Sequence, residues 1–161
     1  MGAAVAVKFD SFEMSETFAC SLQKLFAAFT NPVTKRAWYV DGAHADTHDT
    51  LAYSLDPEVG GREVFRLVLN DKTPVPGLEI EMVGECVARI DNALLVYSSR
   101  MIARGHVVSI TNETFQFTAD GAGARLRLTQ QGTYLEGSDG PELRRRGHEQ
   151  LLSDLRRYLD G

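Results

Sequence analysis

The sequence predicts an α+β fold: a curved antiparallel sheet of about six to seven strands, with helices on one face and a long helix at the C-terminus. Three observations carry this. Residues 79–90 and 125–134 alternate apolar and polar side chains with a period of two. Consecutive strand-like segments are joined by turns of a few residues, which suits antiparallel neighbours. The closing stretch PELRRRGHEQLLSDLRRYLDG steps by four through Leu143, Leu151, Leu155 and Leu159, as an amphipathic helix does.

The elements follow in order. VAVKFDSFEMSETFAC spaces Val7, Phe9, Phe12, Met14 and Phe18 like a strand with one slip. SLQKLFAAFT brings Leu22, Leu25, Phe26 and Phe29 to helical spacing, and Asn31 followed by Pro32 is a cap and first turn for a second, short helix ending at Trp38. From Leu51 the texture changes. LAYSLDPEVGG breaks at Asp56-Pro57 and Gly60-Gly61, REVFRLVLN follows, and DKTPVPG turns the chain into LEIEMVGECVARI. Alternation places Ile80, Met82, Cys86, Ala88 and Ile90 on one face of that strand, with Glu79, Glu81, Glu85 and Arg89 on the other. LLVYSSRMI, SITNETFQFT and ARLRLTQQGTYL complete the sheet, and Ser138 or Asp139 with Pro141 starts the last helix.

The 161 residues, with 43% hydrophobic and 24% charged side chains, suit one domain over 1–161. No apolar run approaches the roughly 18 residues of a membrane span, and MGAAVAVKFD lacks a basic leader, so a cytoplasmic protein is expected. A formal charge of −5 argues against nucleic acid as partner. Cys20 and Cys86, distant in sequence, are expected as buried thiols, and Arg144-Arg145-Arg146 as a solvated helix face.

Gly147 breaks the pattern. It lies on the same four-residue stripe as Leu143 and Leu151, where glycine costs a helix about 1 kcal/mol relative to alanine. A missing side chain there leaves space between helix and sheet, or lets another group pack closely. The strand parities tilt the choice towards space. Leu126 and Leu128 send Gln130, Gly132 and Tyr134 inward, and Leu95 and Tyr97 do the same for Ser99. Polar groups on an inner face need partners, and ligand pockets combine apolar walls with a few such groups. The expected ligand-binding residues are Trp38, Tyr53, Phe65, Met82, Tyr97, Ser99, Phe115, Phe117, Gln130, Tyr134, Gly147 and Leu151.

The element order and several motifs resemble the START/Bet v-like superfamily, also called SRPBCC or helix-grip, and within it the homologues of the activator of heat-shock-protein-90 ATPase. LFAAFTNPVTKRAWYV, DPEVGGREVFRL, GECVARIDNALLVYS and the closing strand with its glycine-containing helix carry the likeness over almost the whole chain. The family usually has tryptophan after that glycine, where this chain has His148. The resemblance implies a sheet wrapped round the long helix, enclosing a cavity for small apolar molecules. The eukaryotic co-chaperone of that family carries a further N-terminal domain that contacts its chaperone, for which this chain's length leaves no room.

Chemistry has few handles. His44, Asp46 and His48 recur at two-residue spacing in DGAHADTHDT, but polar residues between a helix and a strand are expected on an exposed loop, and no metal or cofactor is assigned. HExxH, GxSxG, P-loop and GxGxxG patterns are absent. Parity sends Glu79, Glu81, Glu85 and Arg100 outward, which leaves no inward carboxylate named as a base. The expected function is therefore binding of a small hydrophobic or aromatic molecule by a monomer or homodimer. An enzyme of cyclase or hydrolase type using the same cavity, and a co-chaperone-like or regulatory protein-binding module, are the alternatives.

Overall fold

The computed structural model describes residues 4–161, without the side chains of Ala43 and His44. One seven-stranded sheet runs in the order β1-β7-β6-β5-β4-β3-β2. Its strands are β1 (Val7–Phe18), β2 (His48–Leu55), β3 (Arg62–Leu69), β4 (Glu79–Ile90), β5 (Leu94–Ala103), β6 (His106–Asp120) and β7 (Gly123–Leu135). Every pairing is antiparallel. Strands β2 to β7 form a meander, and β1 closes against β7. The first helices, α1 (Leu22–Thr30) and α2 (Pro32–Lys35), lead from one sheet edge to the other. A π-helical turn (Arg36–Val40) extends α2, a 3-10 turn (Ala43–Thr47) precedes β2, and α3 (Pro141–Asp160) closes the chain.

Local chemistry sets the corners. Ser21 Oγ accepts from the Lys24 amide at 3.1 Å and starts α1. Asn31 both ends α1 and starts α2: its N–H donates to Ala27 O at 2.8 Å, and its Oδ1 accepts from the amides of Val33 and Thr34. One residue thus replaces a loop. The start of α3 differs from expectation. Gly140, at φ 83°, is the capping residue, a conformation that favours glycine. Ser138 Oγ accepts from the Gly140 amide, and the Asp139 carboxylate is taken by Arg144, so neither side chain reaches the helix amides.

Two strands depart from simple alternation. β1 pairs with β7 without interruption from Val7 to Phe18, so the expected slip is absent. Phe9 consequently falls on the convex face, 79% exposed, while Phe12 and Phe18 are buried. In β4 a bulge between Cys86 and Ala88 inserts the exposed Val87. Parity reverses beyond it. Ala88 pairs with Val96, Arg89 pairs with the buried Leu95 and lays its guanidinium over the Phe26 ring, and Ile90 faces solvent. The placement of Ala88 and Ile90 inside and Arg89 outside is corrected by that one extra residue.

The inward residues line up in cross-strand rungs on the concave face. One reads Phe65, Met82, Met101, Ser109, Tyr134; the next Glu63, Gly84, Ser99, Thr111, Gly132; the third Cys86, Tyr97, Glu113, Gln130, Phe12. A fourth, with Leu95, Phe115 and Leu128, joins the aromatic floor under α1, where Phe29 meets Trp38, Phe115 and Phe117 at ring distances of 5.2, 5.2 and 5.4 Å. Leu152, Leu155 and Leu159 anchor the C-terminal half of α3 on this floor. Its N-terminal half stands off, with Leu143 56% exposed.

On β7 the concave side chains are Gln130, Gly132 and Tyr134. The Tyr134 ring folds back over Gly132, where an added Cβ would lie 2.7 Å from Cε2 and 2.9 Å from Cζ. That posture lets Gln130 Nε2 donate to the Tyr134 hydroxyl at 2.8 Å, with both residues buried. Gly132→Ala must push the ring aside and break this bond. It should destabilise the protein by about 1–3 kcal/mol in urea unfolding, and an unchanged midpoint would show that the ring moves freely.

Candidate functional site: a cavity under the C-terminal helix

A cavity of about 300 Å³ lies between the concave face, the π-helical turn and the raised half of α3. Gly147 borders it, and a Cβ built there would meet nothing within 4 Å. The glycine is exposed, like Leu143, so it stands at the open edge of the cavity rather than on the buried stripe that the sequence suggested. Gly84 on the sheet side acts differently: its Cβ would lie 2.8 Å from Ser99 Oγ and 3.3 Å from Tyr97 Cδ1. Its absence makes room for those two side chains. The wall is mostly apolar, with Phe29, Trp38, Tyr39, Phe65, Met82, Met101, Phe115 and Leu151 among its members.

Of the expected ligand-binding residues, Trp38, Phe65, Met82, Tyr97, Ser99, Phe115, Gly147 and Leu151 border the cavity. Four do not. Tyr53 packs edge-on against Phe65 and spends its hydroxyl on Glu63, 2.6 Å away. Phe117 belongs to the floor beneath Phe26 and Phe29. Gln130 and Tyr134 are inward, as parity requires, but they bond to each other rather than to the cavity. Trp38 serves packing as well, since its indole N–H donates to Ala28 O at 2.8 Å.

The larger correction concerns charge. Two carboxylates, Glu63 and Glu113, do point inward. The same alternation that identified Phe65 and Phe115 places them, because each lies two residues before its aromatic neighbour. Arg144 also leaves the solvated face assigned to it. Its guanidinium makes two 2.8 Å bonds to Asp139, donates to Ser109 Oγ, and covers the Tyr134 ring at 5.4 Å, whereas Arg145 and Arg146 are exposed. His48, expected on a loop, opens β2 and packs edge-on against Phe65 at the cavity wall. Asp46 turns to Lys72 in solvent, 3.5 Å away, and the His44 side chain lies outside the described residues.

The buried charges around the cavity meet partners, and Arg100, which also borders it, is exposed. Lys35 Nζ contacts Glu63 at 2.8 Å, sits 4.8 Å from the Tyr39 ring centroid, and the two side chains are only 8% and 15% exposed. Arg144 pairs with Asp139 at the rim. His148 Nδ1 lies 2.9 Å from Arg144 O, so that nitrogen must carry a proton, while Nε2 faces Glu113 Oε2 at 3.5 Å. Burial pushes the Glu113 carboxyl up, but its bond to His148, that group's charge, and the charges of Lys35 and Arg144 outweigh burial and hold it below the usual carboxylate value. Its stabilising contribution is therefore complete above the ordinary carboxylate range and is lost as pH falls through the lowered value. Burial, then the charge of Glu63, push the Tyr39 and Tyr53 phenols up, so both stay protonated donors.

A buried pair is costly to break from one side, because the remaining charge loses its partner. Lys35→Met should destabilise the protein by about 3 kcal/mol. Lys35→Met combined with Glu63→Leu should recover most of that loss in the same urea titration. Equal losses in the single and double variants would show that the lysine acts through packing alone.

The sequence matches the family model "Activator of Hsp90 ATPase homolog 1-like protein" over residues 19–160. No functionally curated protein matches it significantly. Among solved structures, a protein of Rhizobium loti is similar at 29% identity and TM-score 0.82, over 96% of this chain and 99% of its own. A protein of Rhizobium leguminosarum superposes with TM-score 0.87 at 22% identity, over 98% and 99% of the two chains. Ara h 8.0201 shares the fold alone, with TM-score 0.65 at 12% identity over 94% and 98%. The glycine-bearing closing helix, the seven-stranded grip around it and the match over nearly the whole chain together place this protein in the family of Activator of Hsp90 ATPase homolog 1-like proteins.

Proposed function

We propose that this protein binds a small apolar or aromatic molecule in the cavity under α3. The observation that carries the reading is the mostly apolar cavity under the raised half of α3, with Gly147, exposed at its edge, adding no side chain to fill it. The cavity's volume lies at the lower end of the range for ligand sites, and its wall has the usual mixture of apolar surface with a few placed polar groups. A binding protein of this kind fits a one-domain, cytoplasmic chain acting as monomer or homodimer. One observation favours a second reading. Glu113 and His148, side by side at the cavity wall, are groups that move protons, and an enzyme would use them on the same occupant. The chaperone connection in the family's name is a third reading, and it would leave the cavity without a role.

Native mass spectrometry of freshly purified protein should show a bound mass of a few hundred daltons or less, given the volume. Recovery of that molecule unchanged after prolonged incubation supports binding, and its conversion supports the enzyme.

Gly147→Leu separates a chamber from a packing contact. The side chain would enter open space, so the variant should melt near or above the wild-type temperature while losing calorimetric binding of 2-methylnaphthalene. A large loss of stability would show that this position is close-packed in solution. Trp38 offers an independent readout, since it is the only tryptophan and borders the cavity. Its emission should shift when an optically silent apolar molecule such as cyclohexane binds, and should stay shifted in Tyr53→Phe, which lies behind the wall.

A further inference from the structure

Unused hydrogen-bonding capacity gathers on one cross-strand rung, at Tyr97, Glu113 and Gln130. Tyr97 and Glu113 are directly paired across β5 and β6 on the concave face, and both border the cavity. Tyr97 is only 4% exposed, and its buried hydroxyl has no hydrogen-bond partner among the described residues. An unmade bond at such a site costs about 1–3 kcal/mol. Among the described residues, Glu113 meets only the long 3.5 Å approach of His148 Nε2, for a carboxylate with about four acceptor positions. Gln130 spends its Nε2 on Tyr134 while its buried Oε1 has no partner among the described residues, and elsewhere Tyr53 is used on Glu63 and Arg144 on Asp139 and Ser109.

We infer that Tyr97 and Glu113 form a subsite for the hydroxyl group of a neutral, otherwise apolar ligand, such as a phenol or a ring alcohol. This rests on the cavity being a ligand site. The chemistry selects the class. A hydroxyl oxygen accepts from the Tyr97 O–H while its own proton goes to a Glu113 oxygen, so one small group satisfies both. A hydrocarbon satisfies neither. A carboxylate ligand would meet Glu113 and Glu63 with like charge, and Lys35, the nearest buried cation, is already committed to Glu63. An ammonium would find its natural place, among the Tyr39, Phe29 and Tyr97 rings, filled by the same lysine at 4.8, 5.8 and 5.9 Å. Lys35 and Arg144 each face a carboxylate, so neither buried cation is left over for an anionic occupant.

The test is a matched set of probes on one ring system: 2-naphthol, 2-methylnaphthalene and 2-naphthoate, measured by isothermal titration calorimetry on the wild-type protein. The expected order is 2-naphthol tightest by roughly tenfold or more, as one or two hydrogen bonds would give. Tyr97→Phe keeps the ring and removes only the hydroxyl. It should weaken 2-naphthol by roughly threefold to tenfold and leave 2-methylnaphthalene unchanged. Glu113→Leu should erase the remaining preference, and thermal melts check that both variants fold. Equal affinity for 2-naphthol and 2-methylnaphthalene, or a preference that survives Tyr97→Phe undiminished, overturns the subsite while leaving the cavity as an apolar binding site. Tightest binding of 2-naphthoate overturns it in favour of an anion site at Lys35 or Arg144. Failure of all three probes to bind is a different result, since it removes the binding function itself.

Discussion

The apolar anchoring of α3 through its C-terminal half, with only polar and edge contacts from the first turns, is the constraint on which the site depends. Leu152, Leu155 and Leu159 are buried on the floor made by α1 and the strands. Burial of such side chains contributes about 1.5–3 kcal/mol each, enough to fix the helix without help from its first two turns. Those turns can then bridge the concave face rather than fill it. A helix packed along its full length would close the cavity, and one held only by its ends would lack a fixed height above the sheet. Gly147 lies where the change from bridge to anchor begins, four residues before Leu151 and eight before Leu155.

A sheet that curls round a helix must also settle its polar residues. Each inward strand contributes some, and every one needs a partner in low dielectric. The molecule uses two solutions. Along β7, Gly132 lets Tyr134 lean back onto Gln130, so the Gln130 Nε2 donor and the Tyr134 hydroxyl satisfy each other within the core. Across β3, β6 and the helices, opposite charges meet in pairs, Lys35 with Glu63 and Arg144 with Asp139, and Glu113 faces the His148 imidazole. The first solution removes polarity from the cavity. The second keeps it there but neutralises it, which leaves recognition to hydrogen bonds rather than net charge.

Fold and site were legible in the sequence to different depths. The sheet, the Asn31-Pro32 corner and the long helix each followed from period, cap or turn chemistry, which are local properties. Errors arose where one residue changed the period. Val87 is an ordinary strand residue by composition, yet as a bulge it brings Arg89 inside and turns Ile90 out. Of the eight expected site residues that border the cavity, Phe65, Met82, Tyr97, Ser99 and Phe115 do so because strand parity places them on the right face. Parity gives no depth along that face, so Phe117, Gln130 and Tyr134 were grouped with it although they pack beside it. Glu63 and Glu113 were the converse case. Their inward parity was available from REVF and NETF, but the search for a base stayed with the glutamates of β4, which face outward. Arg144 could not be told from its neighbours Arg145 and Arg146 without knowing that α3 starts beside Ser109 and Tyr134.

The paired charges also explain how a few ionic groups survive in a mostly apolar wall beside an aromatic floor. A lone carboxylate at Glu63 or Glu113 would face a desolvation cost of several kcal/mol, and it would either take up a proton or draw the fold apart. Lys35 and Tyr53 hold Glu63 from two sides, and His148 meets Glu113 from α3. The consequence for a ligand is asymmetric. An apolar occupant excludes water from these groups without adding a bond, so its gain from burial is reduced by their lost hydration. An occupant that reaches Tyr97 and Glu113 with a hydroxyl restores what exclusion of water removes. Selectivity then arises less from the strength of any one contact than from the penalty on ligands that cannot make it.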